Sequence, residues 1–95
     1  MSGTRALAVT VTGRVQGVNY RHFTVTAARE LGIQGWVRNR DDGAVEAVLH
    51  GAGQALSDLV GIMRQGPRDA RVDHVDVRSI DAGAAAKPPD DAYVF

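Results

Sequence analysis

The chain has 95 residues, of which 44% are hydrophobic, and its 11 basic residues balance its 11 acidic ones. This length predicts one globular domain spanning residues 1–95, and the balanced charge argues against nonspecific nucleic-acid binding. The lack of cysteine excludes disulfides, thiolate catalysis and thiolate metal sites. No apolar run reaches the roughly 18 residues that span a bilayer, and a signal peptide is not expected. We therefore expect a monomeric, cytoplasmic protein that does not contact membranes.

The first half of the chain predicts a strand, a helix and a hairpin. Residues 5–12 alternate apolar and polar side chains, as a strand with one buried face does. Between residues 20 and 31 the apolar positions recur at helical spacing, and the next residue is a glycine, which is typical of a helix end. Residues 35–39 and 44–50 predict two further strands, and Asp41-Asp42-Gly43 between them is a hairpin turn signal.

The second half predicts a helix and two strands. Glycines within residues 51–53 are expected to break the preceding strand, and an amphipathic helix from residue 52 to 63 ends before Gly66-Pro67. Residues 72–80 predict a fourth strand, whose imperfect alternation indicates a bulge. Residues 82–91 predict a loop, and residues 93–95 a short final strand.

The order of the main elements is β-α-β-β-α-β. This order predicts an α+β fold of the ferredoxin-like type, in which two helices cover one face of an antiparallel sheet. No internal repeat or linker divides the chain.

The segment that joins the first strand to the first helix predicts an anion site. Residues 13–21 read Gly-Arg-Val-Gln-Gly-Val-Asn-Tyr-Arg. A tight turn of this kind directs several backbone N–H groups at one point, beside the positive end of a helix. Arg21 adds a planar fork of donors that suits a phosphoryl group. Its charge is unfavourable at a helix N-terminus unless an anion lies nearby.

Two segments together resemble the signatures of the acylphosphatase family. Residues 13–21 are similar to the pattern G-R-V-Q-G-V-x-[FY]-R, and residues 35–51 to the pattern G-[FYW]-V-[KR]-N-x-x-x-G-x-V-x5-G. Each pattern alone is moderately specific, whereas the pair in this order is strong. The resemblance covers about residues 5–80.

The resemblance implies hydrolysis of a small-molecule acyl phosphate to a carboxylate and inorganic phosphate, with no metal and no cofactor. It implies that Asn39 holds the attacking water, and that phosphate or sulfate binds as product or analogue. It also implies that Arg21 and the loop amides bind the phosphoryl group. The phosphate-binding residues expected on this basis are Val15, Gln16, Gly17, Val18, Asn19, Tyr20 and Arg21.

The chemistry of these residues agrees with that implication. An acyl phosphate is already activated, so positioning and electrostatic stabilisation supply most of the catalysis. The Asn39 amide both donates and accepts hydrogen bonds, and so suits a water molecule. The neighbouring Arg38 and Arg40 are expected to point to the opposite face from Asn39. The three histidines lack metal-site spacing, and His22 is expected to point away from Arg21.

Three features leave the interpretation open. Asn19 stands where the family usually has a small residue, often glycine; asparagine tolerates left-handed backbone, so the loop is expected to keep its shape while the rate changes. Gln16 is expected either to donate to the ligand through its backbone or to face solvent. The final strand is shorter than in relatives and is expected to fray at its end.

Two other functions remain as alternatives. Ferredoxin-like domains include RNA-binding modules that stack bases on exposed sheet aromatics, but this chain has only five aromatic residues and no net charge. Trp36 is expected to pack rather than to stack on a base. The second alternative is an anion sensor that binds phosphate but turns over poorly because of Asn19.

Overall fold

A computed structural model describes residues 3–81, 83 and 87–95 of the chain. The elements in chain order are β1 (Thr4–Arg14), α1 (Tyr20–Glu30), β2 (Gln34–Asn39), β3 (Val45–Ala52), α2 (Gly53–Gln65), β4 (Arg71–Ile80) and β5 (Tyr93–Val94). The predicted β-α-β-β-α-β order is confirmed, and the short final strand is present as β5. Residues 82 and 84–86 of the predicted loop lie outside the described residues.

The strands form one antiparallel sheet in the order β4-β1-β3-β2-β5. Helix α1 packs beside β2, and α2 packs against β3 and β4. The alternation read from the sequence selects the buried face, since Val45, Ala47 and Leu49 of β3 are fully buried, as are Val9 and Val11 of β1. The predicted ferredoxin-like α+β fold is confirmed.

Helix α1 ends where its glycine signal predicts. The N–H of Gly32 donates to the carbonyl oxygen of Arg29, and the N–H of Ile33 donates to that of Ala28. This pair of bonds satisfies carbonyl groups that the last helical turn leaves free. The chain therefore leaves α1 in a fixed direction and enters β2 within a few residues.

The predicted break between the third strand and the second helix is confirmed, because it falls within residues 51–53. Strand β3 continues through Ala52, and α2 begins at the next residue, Gly53. Ala52 keeps an extended backbone, with φ −66° and ψ 144°, as the residue that precedes the helix. The strand therefore passes directly into the helix, without a separate loop.

A bulge between β1 and β4 explains why apolar and polar residues alternate imperfectly along β4. Thr12 pairs with His74 but Gly13 pairs with Val72, so Asp73 is the extra residue. Gly13 lies close to β4, where a Cβ atom would collide with the Arg71 carbonyl oxygen. The bulge twists the end of β1 just before the loop that leads to α1, and the prediction of a bulge is confirmed.

Strand β5 pairs with β2 at the edge of the sheet. The N–H of Phe95 donates to the carbonyl oxygen of Gly35 at 2.9 Å, and the N–H of Gly35 donates to that of Phe95 at 3.0 Å. The expected fraying at Phe95 was therefore wrong. Of the helices in the described part of the chain, none has the length and hydropathy needed to cross a bilayer.

Candidate active site

The loop between β1 and α1, residues 15–19, turns back on itself through two left-handed residues. Gly17 has φ +73° and Asn19 has φ +69°. Glycine adopts this region without steric cost, and asparagine tolerates it better than most residues do. Asn19 is also the residue that precedes the first turn of α1. Asn19 therefore adopts the left-handed backbone that asparagine was expected to tolerate.

The first turn of α1 is not capped by a side chain. Asn19 makes no side-chain capping bond, and none of the residues in the first turn is acidic. The first N–H groups of a helix have no partner within the helix, and they carry the positive end of its dipole. The start of α1 therefore presents free donors to an anion.

Arg21 adds a full positive charge at the same place. It is the second residue of α1 and is half-buried. Among the described residues, its guanidinium has no carboxylate within salt-bridge distance. Its Cζ atom lies over the ring of Tyr93, 4.4 Å from the ring centroid. An aromatic face attracts a guanidinium without neutralising its charge, so Arg21 stays available to an anion.

The side chain of Gln16 connects the β1–α1 loop to the turn between β2 and β3. Its Nε2 atom donates to the carbonyl oxygen of Arg40 at 2.8 Å and to that of Ala44 at 3.0 Å. Those carbonyls flank the predicted Asp41-Asp42-Gly43 turn, whose closure the 2.8 Å bond from the Arg40 N–H to the Ala44 oxygen confirms. Sequence reasoning considered only the backbone of Gln16 or exposure to solvent, and it missed this side-chain contact.

Asn39 is the last residue of β2 and has an unused acceptor. Its Oδ1 atom is buried and has no hydrogen-bond partner among the described residues. A buried acceptor without a donor costs about 1–3 kcal/mol. A bound molecule that donates a hydrogen bond, such as water, would relieve that cost. Asn39 is the one residue outside residues 13–21 that the sequence predicted for the site.

These groups meet in a cavity of about 270 Å³. The structure brings together six of the eight residues predicted for the site, and the full lining is Val15, Gly17, Asn19, Tyr20, Arg21, His22, Asn39 and Tyr93. The two predicted residues outside this lining are Gln16, which forms the contact described above, and Val18, which packs in the hydrophobic core. His22, which was expected to point away from Arg21, is also among the lining residues. Sequence reasoning also missed Tyr93, for which no motif gave a signal.

Tyr20 supports the site structurally. Its hydroxyl donates to the carbonyl oxygen of Met63 at 2.7 Å and thus ties the start of α1 to α2. Burial raises the pKa of the Tyr20 phenol well above its ordinary value. The phenol therefore stays neutral, and it does not serve as a base or as an anionic nucleophile at neutral pH.

The arginines beside Asn39 are engaged elsewhere. Arg38 donates to Glu46, its cross-strand partner on β3, at 2.8 Å. This hydrogen bond raises the pKa of Arg38, so its charge is retained. Its predicted placement on the face opposite Asn39 is confirmed. Arg40 lies beyond the end of β2 and pairs with Asp42 at 2.7 Å.

Comparison with known proteins identifies the family. The acylphosphatase family model matches residues 7–87, which is most of the chain. The chain belongs to the acylphosphatase family. The acylphosphatase of Methanothrix thermoacetophila is 44% identical over 82% of this chain and 87% of that protein.

Solved acylphosphatase structures share the fold. The acylphosphatase of Bacillus subtilis superimposes with a TM-score of 0.80 and 35% identity, over 82% of this chain and 87% of that one. An acylphosphatase from Coxiella burnetii gives a TM-score of 0.80 and 33% identity, over 93% of this chain and 88% of that one. Both comparisons cover more than four-fifths of this chain.

We expect Gln16→Met to lower the free energy of unfolding by about 1–2 kcal/mol, because it removes two hydrogen bonds and keeps the length of the side chain. Urea denaturation measures the change. Gln65→Met, at an exposed position at the end of α2, is the matched control and is expected to change stability by less than about 0.5 kcal/mol. Equal effects of the two substitutions would contradict a connecting role for Gln16.

We expect Asn19→Ala to lower the free energy of unfolding by about 1 kcal/mol, because alanine is strained in left-handed backbone. Asn19→Gly removes the same side chain without that strain and is expected to stay within about 0.5 kcal/mol of the wild type. Thermal unfolding followed by circular dichroism distinguishes them. If the alanine variant is as stable as the glycine variant, backbone conformation is not what asparagine supplies.

Proposed function

We propose that this chain hydrolyses acyl phosphates to a carboxylate and inorganic phosphate. One observation carries the proposal: the uncapped start of α1, the charge of Arg21 and the unpartnered oxygen of Asn39 line one cavity. These are the groups needed to hold a dianionic phosphoryl group beside a water molecule. Membership of the acylphosphatase family supports the same reaction.

The phosphoryl oxygens bind at the start of α1. The Arg21 guanidinium makes a bidentate contact with them, as its planar fork of donors allows. The backbone N–H groups of residues 15–20 complete the set of donors. These donors are in place before the substrate arrives, so they stabilise the charge on the equatorial oxygens without reorganisation in the transition state.

The attacking water binds at Asn39. Its Oδ1 atom accepts a hydrogen bond from the water and holds the water oxygen towards phosphorus. That oxygen forms the new bond to phosphorus while the bond from phosphorus to the acyl oxygen breaks, and the carboxylate leaves with the electron pair. The proton of the water passes to a phosphoryl or carboxylate oxygen of the substrate itself, since the carboxylate leaving group needs no protein acid.

The reaction as proposed requires neither a metal nor a cofactor, because Arg21 and the amides supply the charge stabilisation that an acyl phosphate needs. Within the described residues, no group of three or more metal-ligating side chains is clustered.

We further propose that residues 1–95 act as a single domain, monomeric and cytoplasmic, with free phosphate as the released product. The balanced charge of 11 basic and 11 acidic residues supports a protein without nucleic-acid partners.

We expect the wild-type protein to hydrolyse benzoyl phosphate in the presence of a chelator. Arg21→Gln and Asn39→Ala are each expected to lower kcat/KM by about 10²–10³-fold, because each removes a group that stabilises or positions the reacting atoms. The release of phosphate measures the rate. Arg29→Gln, which removes an exposed arginine from the last turn of the same helix, is the matched control.

The control is expected to keep kcat/KM within about two-fold of the wild type, since surface charges contribute little. Absence of turnover in the wild type, or activity only after a divalent metal is added, would contradict the proposed reaction. Equal losses in Arg21→Gln and Arg29→Gln would remove Arg21 from the phosphate site.

We expect kcat to be flat between about pH 6 and 8, because no side chain transfers the proton. Transfer through a histidine would give a step near about pH 6.5. Measurement of kcat in wild type and in His22→Gln tests this point, since His22 lines the cavity. A step in the wild-type profile that disappears in His22→Gln would contradict substrate-assisted proton transfer.

A further inference from the structure

Strand β5 carries Tyr93 to the mouth of the cavity. Tyr93 is the cross-strand partner of Val37, which is fully buried in the core. Opposite residues of paired strands point to the same face of a sheet, so Tyr93 lies on the face that the helices cover. Asn39 lies two residues beyond Val37 on β2 and shares that face. The end of the chain therefore contributes to the same site as the two signature segments.

The ring of Tyr93 is the accessible apolar surface at this site. Val15 and Tyr20 also line the cavity, but each is only 1% exposed. Tyr93 is 47% exposed. Its ring contacts the Arg21 guanidinium, with 4.4 Å between Cζ and the ring centroid. An exposed aromatic ring in a polar cavity is unusual enough to suggest a ligand contact.

The two ends of an acyl phosphate differ in chemistry. The phosphoryl end is charged and takes the donors of Arg21 and the loop amides, which leaves the acyl end to emerge beside the guanidinium. Tyr93 offers exposed apolar surface there, because the Cζ atom of that same guanidinium lies 4.4 Å from the centroid of its ring. An aromatic or extended apolar acyl group buries surface against the ring, whereas an acetyl group is too small to do so.

We propose that Tyr93 is a specificity-determining residue, which selects acyl phosphates with an aromatic or extended apolar acyl group over small ones. This inference rests on the proposed acylphosphatase function. The ring has two effects: it holds Arg21 in place, which serves every substrate equally, and it contacts the acyl group, which serves only the larger substrates.

The test compares kcat/KM for benzoyl phosphate and for acetyl phosphate in the wild type and in three variants. Tyr93→Ala is expected to lower the benzoyl-to-acetyl ratio about five-fold, the effect of losing one aromatic contact. Tyr93→Phe keeps the ring and is expected to keep the ratio. Val94→Ala is the matched control, because Val94 is exposed on the same strand but lies on the opposite face, and its ratio is expected to be unchanged.

The ratio separates the two effects of the ring. If Tyr93→Ala lowers kcat/KM for both substrates by one factor, the ring only positions Arg21 and the inference is overturned. Turnover of both substrates with an unchanged ratio overturns this inference and leaves the proposed function intact. No turnover of either substrate by the wild type refutes both.

A measurement on the wild type decides the matter if Tyr93→Ala does not fold. (2-Oxo-2-phenylethyl)phosphonate has a methylene group in place of the bridging oxygen of benzoyl phosphate, so it keeps the spacing between ring and phosphorus and is not hydrolysed at that bond. We expect nuclear Overhauser contacts between its ring protons and the ring protons of Tyr93, and no contacts with the side chain of Val94. Saturable binding without contacts to Tyr93 would overturn the inference.

Discussion

The site depends on the left-handed backbone of the loop between β1 and α1. Because Gly17 and Asn19 adopt positive φ, the chain reverses within a few residues and starts α1 without a side-chain cap. Residues of that turn and Arg21 then line one cavity. A right-handed loop would start the helix in another direction and would separate these donors. The side chain of Gln16 fixes the loop to the turn that follows Asn39.

Two groups of the candidate site lower the stability of the folded chain. Arg21 places a positive charge at the unfavourable end of a helix, at a cost of about 0.3–1 kcal/mol, and Asn39 keeps a buried oxygen without a partner. The fully buried residues of β1 and β3 offset these costs, because burying one such aliphatic side chain contributes about 1.5–3 kcal/mol. The sheet and the two helices thus keep these unfavourable groups in place at the proposed site.

The fold and most of the site follow from local sequence patterns. The alternation of apolar and polar residues predicted the buried faces of the strands, and its irregularity in residues 72–80 predicted the bulge. The two signature segments predicted Arg21 and Asn39 as site residues. The contacts that were missed are long-range. Tyr93 reaches Arg21 only because β5 pairs with β2, and no local pattern encodes that pairing. The start of α2 was predicted to within one residue, although glycine, the residue type at position 53, more often interrupts a helix than begins one.

The most direct test of this account is a titration of the wild-type protein with inorganic phosphate, followed residue by residue through backbone amide chemical shifts. We expect saturable binding, with the largest shifts at the amides of residues 15–21 and at the side-chain amide of Asn39. A second cavity of about 420 Å³ lies beside α2, where Arg5 and Arg64 are among its lining residues. Largest shifts at that second cavity, or shifts that do not saturate, would contradict the assignment of the β1–α1 loop as the phosphoryl site.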